Sequence, residues 1–378
     1  MRLQSRASGG VRLEPGSSGT SAVAAAVLLG AALLAGAAVS STSIARAAVA
    51  APAPSLRELV GQRFVVAMRG TSPSRLLLAR IRRGEIGGVI LFGGNIESAG
   101  QLRRLTSTLQ QAAYYSGRLP LLVATDQEGG RVRRLPWVGP VRPAFELGRL
   151  APARIRAEGR RAGLGLRAAG INVNLAPVAD VPAAGSFMAA EQRTFATTPS
   201  GVGRAATAFA RGLEDARVAA VLKHFPGIGR SVRNTDRSVV EITASRRALE
   251  RGLAPFRMAL RAGAPIVMLS NATYRAIDEE PAGWSPRLLE LLRDEFGFRG
   301  VTITDSLDGA AASRKRSVAA VAVLAAEAGV DLLLITGSEA SSAAAFERVL
   351  SVASRRSLSR AELRRSYERI GMLKRAYG

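Results

Sequence analysis

Eight short apolar runs, each bounded by turn residues, constrain what this chain can fold into more than any other feature. They are Phe64–Met68, Gly88–Phe92, Leu121–Asp126, Ile171–Val178, Ala219–Phe225, Pro265–Asn271, Val301–Asp305 and Asp331–Thr336. The runs are continuous rather than alternating, as in strands buried on both faces. Between them, Ser98–Ser116, Pro152–Ala169, Thr198–Ala216, Arg246–Ala262 and Ser285–Glu295 repeat apolar residues at helical spacing, with arginines on the other face. Eight strands alternating with helices predict an α/β fold of the (β/α)8 TIM-type, one barrel domain over residues 55–378. A nucleotide fold is disfavoured, because no Gly-x-Gly-x-x-Gly follows the first strand and no Walker A sequence occurs. Residues 340–377 read as two helices closing the barrel, with nothing left for a second domain.

Three of the runs end on polar groups of different kinds. Leu121-Leu-Val-Ala-Thr-Asp126 ends on a carboxylate, Val218-Ala-Ala-Val-Leu-Lys-His224 on an ammonium and the single histidine, and Val301-Thr-Ile-Thr-Asp305 on another carboxylate. Carboxyl ends of barrel strands are where such a fold builds an active site, so an enzyme is expected.

Composition narrows the chemistry. The chain has 47% hydrophobic residues and no cysteine, so it can bury a core but has no disulfide, thiolate nucleophile or cysteine metal site. One histidine makes a zinc site a poor expectation. The net charge of +24 suggests nucleic acid at first sight. However, only Lys223, Lys315 and Lys374 among 53 basic residues are lysines, the arginines are scattered, and aromatics are 5%. That pattern gives no stacking platform, and no nucleic-acid partner is expected. Attraction to an anionic wall polymer or membrane surface is a by-product such charge can have.

The N-terminus reads separately. Arg2, Arg6 and Arg12 precede an Ala/Leu/Val/Gly run over residues 22–39, then small residues and Ala51-Pro-Ala-Pro54. Residues 1–50 match an export signal with cleavage near residues 45–50, or an anchor left in place; a disordered Ala-rich tail is the plain alternative. The expected location is outside the cytoplasm: extracellular, wall-associated or membrane-anchored.

Four motifs occur in order: Asp126-Gln-Glu-Gly-Gly-Arg-Val-Arg-Arg134, Asn174-Leu-Ala-Pro-Val-Ala-Asp180, Lys223-His-Phe-Pro-Gly227 and Thr304-Asp-Ser-Leu307. Together they resemble the barrel domain of glycoside hydrolase family 3, in its single-domain β-N-acetylhexosaminidase branch. Gly87–Phe92, Pro281–Ser285 and Leu291–Gly300 fit the same pattern. The resemblance implies that Asp305 is the nucleophile, attacking the anomeric carbon to form a glycosyl-enzyme. A helix N-cap is the alternative role for an aspartate in that position. Asp126 and Arg134 are implied to hold hydroxyls of the non-reducing sugar, or else to brace the Gly129-Gly130 turn as a local pair. Lys223 and His224 match a sugar-binding pair, or a buried polar pair at the barrel mouth. Arg193, in Gln192-Arg-Thr-Phe195, corresponds to a further binding arginine on a shorter motif. Asn174 and Asp180 read as scaffold. No metal and no cofactor is implied, and a monomer is expected.

One motif departs from the pattern. In the hexosaminidase branch a mobile loop after Lys-His-Phe-Pro-Gly carries an Asp-x-His pair whose histidine protonates the leaving oxygen. Here the loop runs Ile228-Gly-Arg-Ser-Val-Arg-Asn-Thr-Asp-Arg-Ser238, with Asp236 at the aspartate and Ser238 in place of the histidine. Ile228 and Asn271 replace further histidines. A hydroxyl cannot substitute for imidazolium as an acid. Three explanations stay open: Asp236 donates the proton, although neighbouring Arg233 and Arg237 are expected to lower its pKa; Glu128 swings in; or hydrolysis is lost and binding retained. The expectation is an exported retaining exo-glycosidase acting on terminal β-linked N-acetylglucosamine, on peptidoglycan fragments or related glycans. The alternatives are a weak or inactive sugar-binding barrel, or a β-glycosidase of different specificity.

Overall fold

The computed structural model describes residues 53–378, with the backbone alone at 311–313. The apolar N-terminal run and the proposed cleavage region lie outside the described residues. Among the described residues no helix is long and apolar enough to cross a membrane.

All eight runs form strands: β1 Phe64–Ala67, β2 Gly88–Ile90, β3 Leu122–Thr125, β4 Val173–Asn174, β5 Ala219–Phe225, β6 Ile266–Leu269, β7 Val301–Thr304 and β8 Leu333–Ile335. They pair in parallel in chain order, and β1 also pairs with β8. The remaining seam, between β7 and β8, is closed by the Ile303–Leu332 bridge and by Leu332 N–H donating to the Thr302 carbonyl at 2.8 Å. The result is the (β/α)8 barrel.

Continuous apolarity has a direct cause. Val65, Leu122, Val221, Met268 and Ile303 point into the barrel, while Val66, Val123, Leu222, Val267 and Leu269 face the helices. Both sets are buried, so both strand faces must be apolar. Ile370 and Leu373 of the last helix, Arg360–Tyr377, join the interior set and plug its amino-terminal end.

The strands are shorter than their apolar runs, most clearly in β4. Pro177 has no N–H to give a ladder, and Asn172 adds side-chain bonds to its backbone ones, its amide oxygen accepting from Val123 N–H at 2.7 Å and its amide nitrogen donating to the Leu121 carbonyl at 3.0 Å. The expected helices appear as 99–114, 152–168, 199–215 and 246–261. The fifth forms only over Pro286–Glu290 before a π turn at Leu291–Glu295. Helices Glu339–Ser354 and Arg360–Tyr377 end the chain.

Candidate active site

The carboxyl ends of the strands surround a cavity of about 470 Å³, and the seven residues expected to bind sugar or catalyse line it: Asp126, Arg134, Arg193, Lys223, His224, Asp236 and Asp305, whereas Glu128, Asn174 and Asp180 do not. Asp126 leaves β3, Lys223 and His224 lie in β5, and Asp305 leaves β7. Arg134 arrives differently. After β3 the chain makes a hairpin, Gln127–Gly129 against Val132–Arg133, whose return arm brings Val132 and Arg134 to the cavity. Its tight turn needs glycine: Gly129 has φ 104°, and a Cβ there would lie 2.4 Å from the Arg142 carbonyl oxygen.

Five charged side chains share one network along the wall. Lys223 Nζ donates to Asp126 Oδ1 and to Glu128 Oε1, both at 2.7 Å. Arg193 meets Glu128 as a fork, with Nε 2.8 Å from Oε2 and Nη2 2.7 Å from Oε1. Arg134 Nη2 is 3.8 Å from Asp126 Oδ2, and its guanidinium lies over the Phe92 ring. Burial acts to raise Glu128, but Arg193 and Lys223 outweigh it and hold the carboxyl far below the carboxylate range. Burial likewise works against charge on Lys223 and is overcome by Asp126 and Glu128. Glu128 is therefore a locked, ionised counter-ion, which removes it as a candidate acid.

Sequence reasoning undervalued Glu128. The available signal was strand alternation: Asp126 and Glu128, two apart, face the same side, whereas Gln127 turns away to accept from Leu135 N–H at 3.0 Å. Asn174 and Asp180 brace the mouth. Asn174 exchanges two bonds with the Gln127 backbone, at 2.9 and 3.0 Å. Asp180, fully buried, accepts from the Ile228 N–H at 2.8 Å and sits 2.8 Å from His224 Nδ1. A carboxylate there places the ring proton on Nδ1 and leaves Nε2 as the imidazole's other polar atom.

Across the cavity, Asp305 accepts from the Ser306 N–H at 2.8 Å, and Ser306 Oγ is 2.6 Å from Thr336 Oγ1. The loop after β5 brings Asn234, Thr235 and Asp236 to the same space. Its seat on the helix after β7 depends on Gly309, where a Cβ would meet the Asp236 carbonyl oxygen at 2.8 Å and Cα at 2.9 Å. Asp236 stays open to solvent on its outer side and is raised to about 6, first by the neighbouring Asp305 and then by partial desolvation of its carboxyl, with His224 and Arg193 opposing. The expectation that Arg233 and Arg237 would lower it fails. Both arginines are exposed, and the charges acting most on Asp236 are those inside the cavity. Ser238 is not part of the lining; its N–H donates to the Asn234 carbonyl at 3.1 Å.

Known proteins share this architecture. Residues 55–373 match the model of the glycosyl hydrolase family 3 N terminal domain. An "Uncharacterized secreted glycosyl hydrolase" of Arthroderma benhamiae is 33% identical over 340 residues, 86% of this chain and 96% of that one. A β-hexosaminidase of Alkalilimnicola ehrlichii is 36% identical over 280 residues, 71% of this chain and 77% of its own. Among solved structures, a family 3 β-N-acetylglucosaminidase from Paenibacillus superposes with TM-score 0.82 at 34% identity, covering 86% of this chain and 63% of that one. A β-N-acetylhexosaminidase from Beutenbergia cavernae gives 0.78 at 34% identity, covering 85% and 99%. The chain belongs to glycosyl hydrolase family 3, as a glycosidase barrel of its N-terminal-domain type.

Proposed function

We propose that the protein is an exported, retaining exo-glycosidase that removes terminal β-linked N-acetylglucosamine, with Asp305 as nucleophile and Asp236 as general acid and base. The observation that carries this is the placement of Asp236 and Asp305 in one cavity, where the field of Asp305 keeps a proton on Asp236 up to about pH 6. Two carboxyl groups held to different tasks by their surroundings are what glycoside cleavage requires.

In the first step Asp305 attacks the anomeric carbon as the bond to the leaving oxygen breaks and the Asp236 proton passes to that oxygen. In the second, the Asp236 carboxylate takes a proton from water, and the resulting hydroxide displaces Asp305 from the sugar. Asp126, Arg134, Arg193, Lys223 and His224 bind the sugar's hydroxyls. Glu128 keeps Arg193 and Lys223 in position without touching substrate. The N-acetylglucosamine preference is supported by the similarity to proteins described as β-hexosaminidase and β-N-acetylglucosaminidase, and a peptidoglycan-fragment substrate rests only on the family resemblance of the sequence motifs. Export rests on the basic and apolar N-terminal sequence, with the secreted relative as support.

A panel of chromogenic β-glycosides tests the reading. Nitrophenyl N-acetylglucosaminide should be hydrolysed, and the matching glucoside far more slowly. Preference for another sugar would reassign specificity. Sugar binding with no turnover, even of a dinitrophenyl glycoside, would make the protein a non-catalytic binder.

A further inference from the structure

A second recess lies beside the catalytic cavity. Barrel helices start at the face where the strands end, so helix Pro152–Ala168 begins there. Its first turns border a groove of about 440 Å³ lined by Val141, Arg142, Leu150, Arg154, Glu158 and Arg161. All three arginines are exposed. Arg161 is paired with Glu158, whereas among the described residues no carboxylate ion pair engages Arg142 or Arg154.

Backbone contacts tie this groove to the catalytic hairpin. Gly130 N–H donates to the Val141 carbonyl at 3.2 Å, and Gly129 packs on the Arg142 carbonyl. The same hairpin carries Arg134 into the cavity, while Arg131 at its tip pairs at 3.5 Å with Glu191 on the cavity wall. Basic side chains thus run from the catalytic mouth to the groove. Trp137, 46% exposed, stands in the adjoining segment, whose Gly139 lies against Arg161.

We propose that this groove is a secondary binding site for an acidic polysaccharide, a glycan carrying carboxylates along its chain. Guanidinium forks match carboxylates in two-bond geometry, and two of the three forks have no carboxylate partner. Val141 and Leu150 provide apolar area for the C–H faces of sugar rings. Helix 152–168 has Ala151 as its N-cap, with no side-chain acceptor, so the positive end of its dipole adds to the arginines' field. A concave groove does not suit a planar membrane, and one exposed indole is not the row of rings on which nucleic-acid bases stack. The net charge of +24 draws polyanions toward the molecule without choosing where they dock. The proposal stands independently of hydrolysis, because binding is read directly.

The test uses the full chain and polygalacturonate as probe, with dextran, single-stranded DNA and polyglutamate of similar length as comparators. Titration calorimetry at low salt gives the affinities. Two double variants are compared: Arg142→Gln/Arg154→Gln in the groove, and Arg348→Gln/Arg355→Gln near the far end of helix Glu339–Ser354, which points away from the catalytic face. The groove pair should lose about tenfold or more in affinity for polygalacturonate, since charge-assisted bonds are removed. The distant pair should stay near wild type. Thermal melting confirms that both variants are folded, and Arg154→Glu alone serves if the groove pair is not. Equal losses in both pairs would overturn the proposal by reducing it to net charge. Tighter binding of DNA or polyglutamate, or equal binding of dextran, would overturn it by removing the acidic-sugar preference.

Discussion

A carboxyl group facing Asp305 across a small cavity gives up its proton reluctantly, and for that reason Asp236 is raised to about 6. Two predictions follow from that value. Hydrolysis of a substrate with a poor leaving group should fall as pH rises through about 6, as the acid loses its proton. Asp236→Asn should remove that limb and cost roughly 10²–10⁴ in kcat/KM with sugar leaving groups, but little in kcat/KM with dinitrophenolate, which departs unprotonated. Its kcat on the dinitrophenyl substrate should fall, because hydrolysis of the glycosyl-enzyme has lost its base. The stability sign is opposite to that of a salt-bridged aspartate. The folded protein holds the proton to about 6 and the unfolded chain only to about 3.8, so stability declines as pH rises between them and stays lower above. Asp236→Asn should therefore melt higher than wild type above pH 6, with the gain vanishing below pH 4. Equal melting curves at all pH values would mean that Asp305 does not act on Asp236. None of this was legible in the chain, which places Asp236 next to Arg233 and Arg237. Adjacency along a loop says nothing of direction, and both arginines are exposed rather than among the cavity residues.

Among elements, the strands were the most legible because their signal is local: an apolar run bounded by turn residues reports burial on both faces. Asp305, Asp126, Lys223 and His224 could be placed because they end such runs. The hairpin after β3 and the loop after β5 were not legible in shape, since each depends on remote backbone. Gly129 must meet Arg142, and Gly309 must meet Asp236. Those contacts give the element-scale predictions. Gly309→Ala should displace the Asp236 loop and lower kcat/KM for sugar-leaving substrates by up to about 10²-fold, while sparing kcat/KM for dinitrophenyl glycosides, the same selectivity as losing the acid. A loss equal for both substrates would point to general damage instead. Glu128→Gln breaks a buried charge network, leaving Arg193 without its counter-ion. It should cost about 3 kcal/mol of stability and raise KM, as measured by denaturant unfolding and steady-state kinetics.

The whole barrel is held by two concentric apolar layers and by the last helix, which inserts Ile370 and Leu373 beneath the interior layer. That helix also buries Lys374, whose ammonium has Gln62 Oε1 at 2.6 Å, and burial pushes it down from 10.5 to about 7. The unfolded chain keeps this proton to higher pH than the fold does. Stability should accordingly rise from about pH 7 towards 10, and Lys374→Met should flatten the rise in thermal melting. A polar residue in such a plug gives no periodic signal, and it passed unnoticed in the sequence. The family-level architecture, by contrast, was open to view in eight runs and four motifs. The central claim concerns one bond in this molecule, between Asp305 and the anomeric carbon. Its most direct test is to incubate the protein with a 5-fluoro-N-acetylglucosaminyl fluoride, whose fluoride leaves without an acid and whose ring fluorine slows turnover of the glycosyl-enzyme. Peptide mass spectrometry should then find the sugar mass on Asp305, and no label should appear on Asp305→Asn. A label on Asp236 or another carboxylate, or none while substrate is still turned over, would contradict the account.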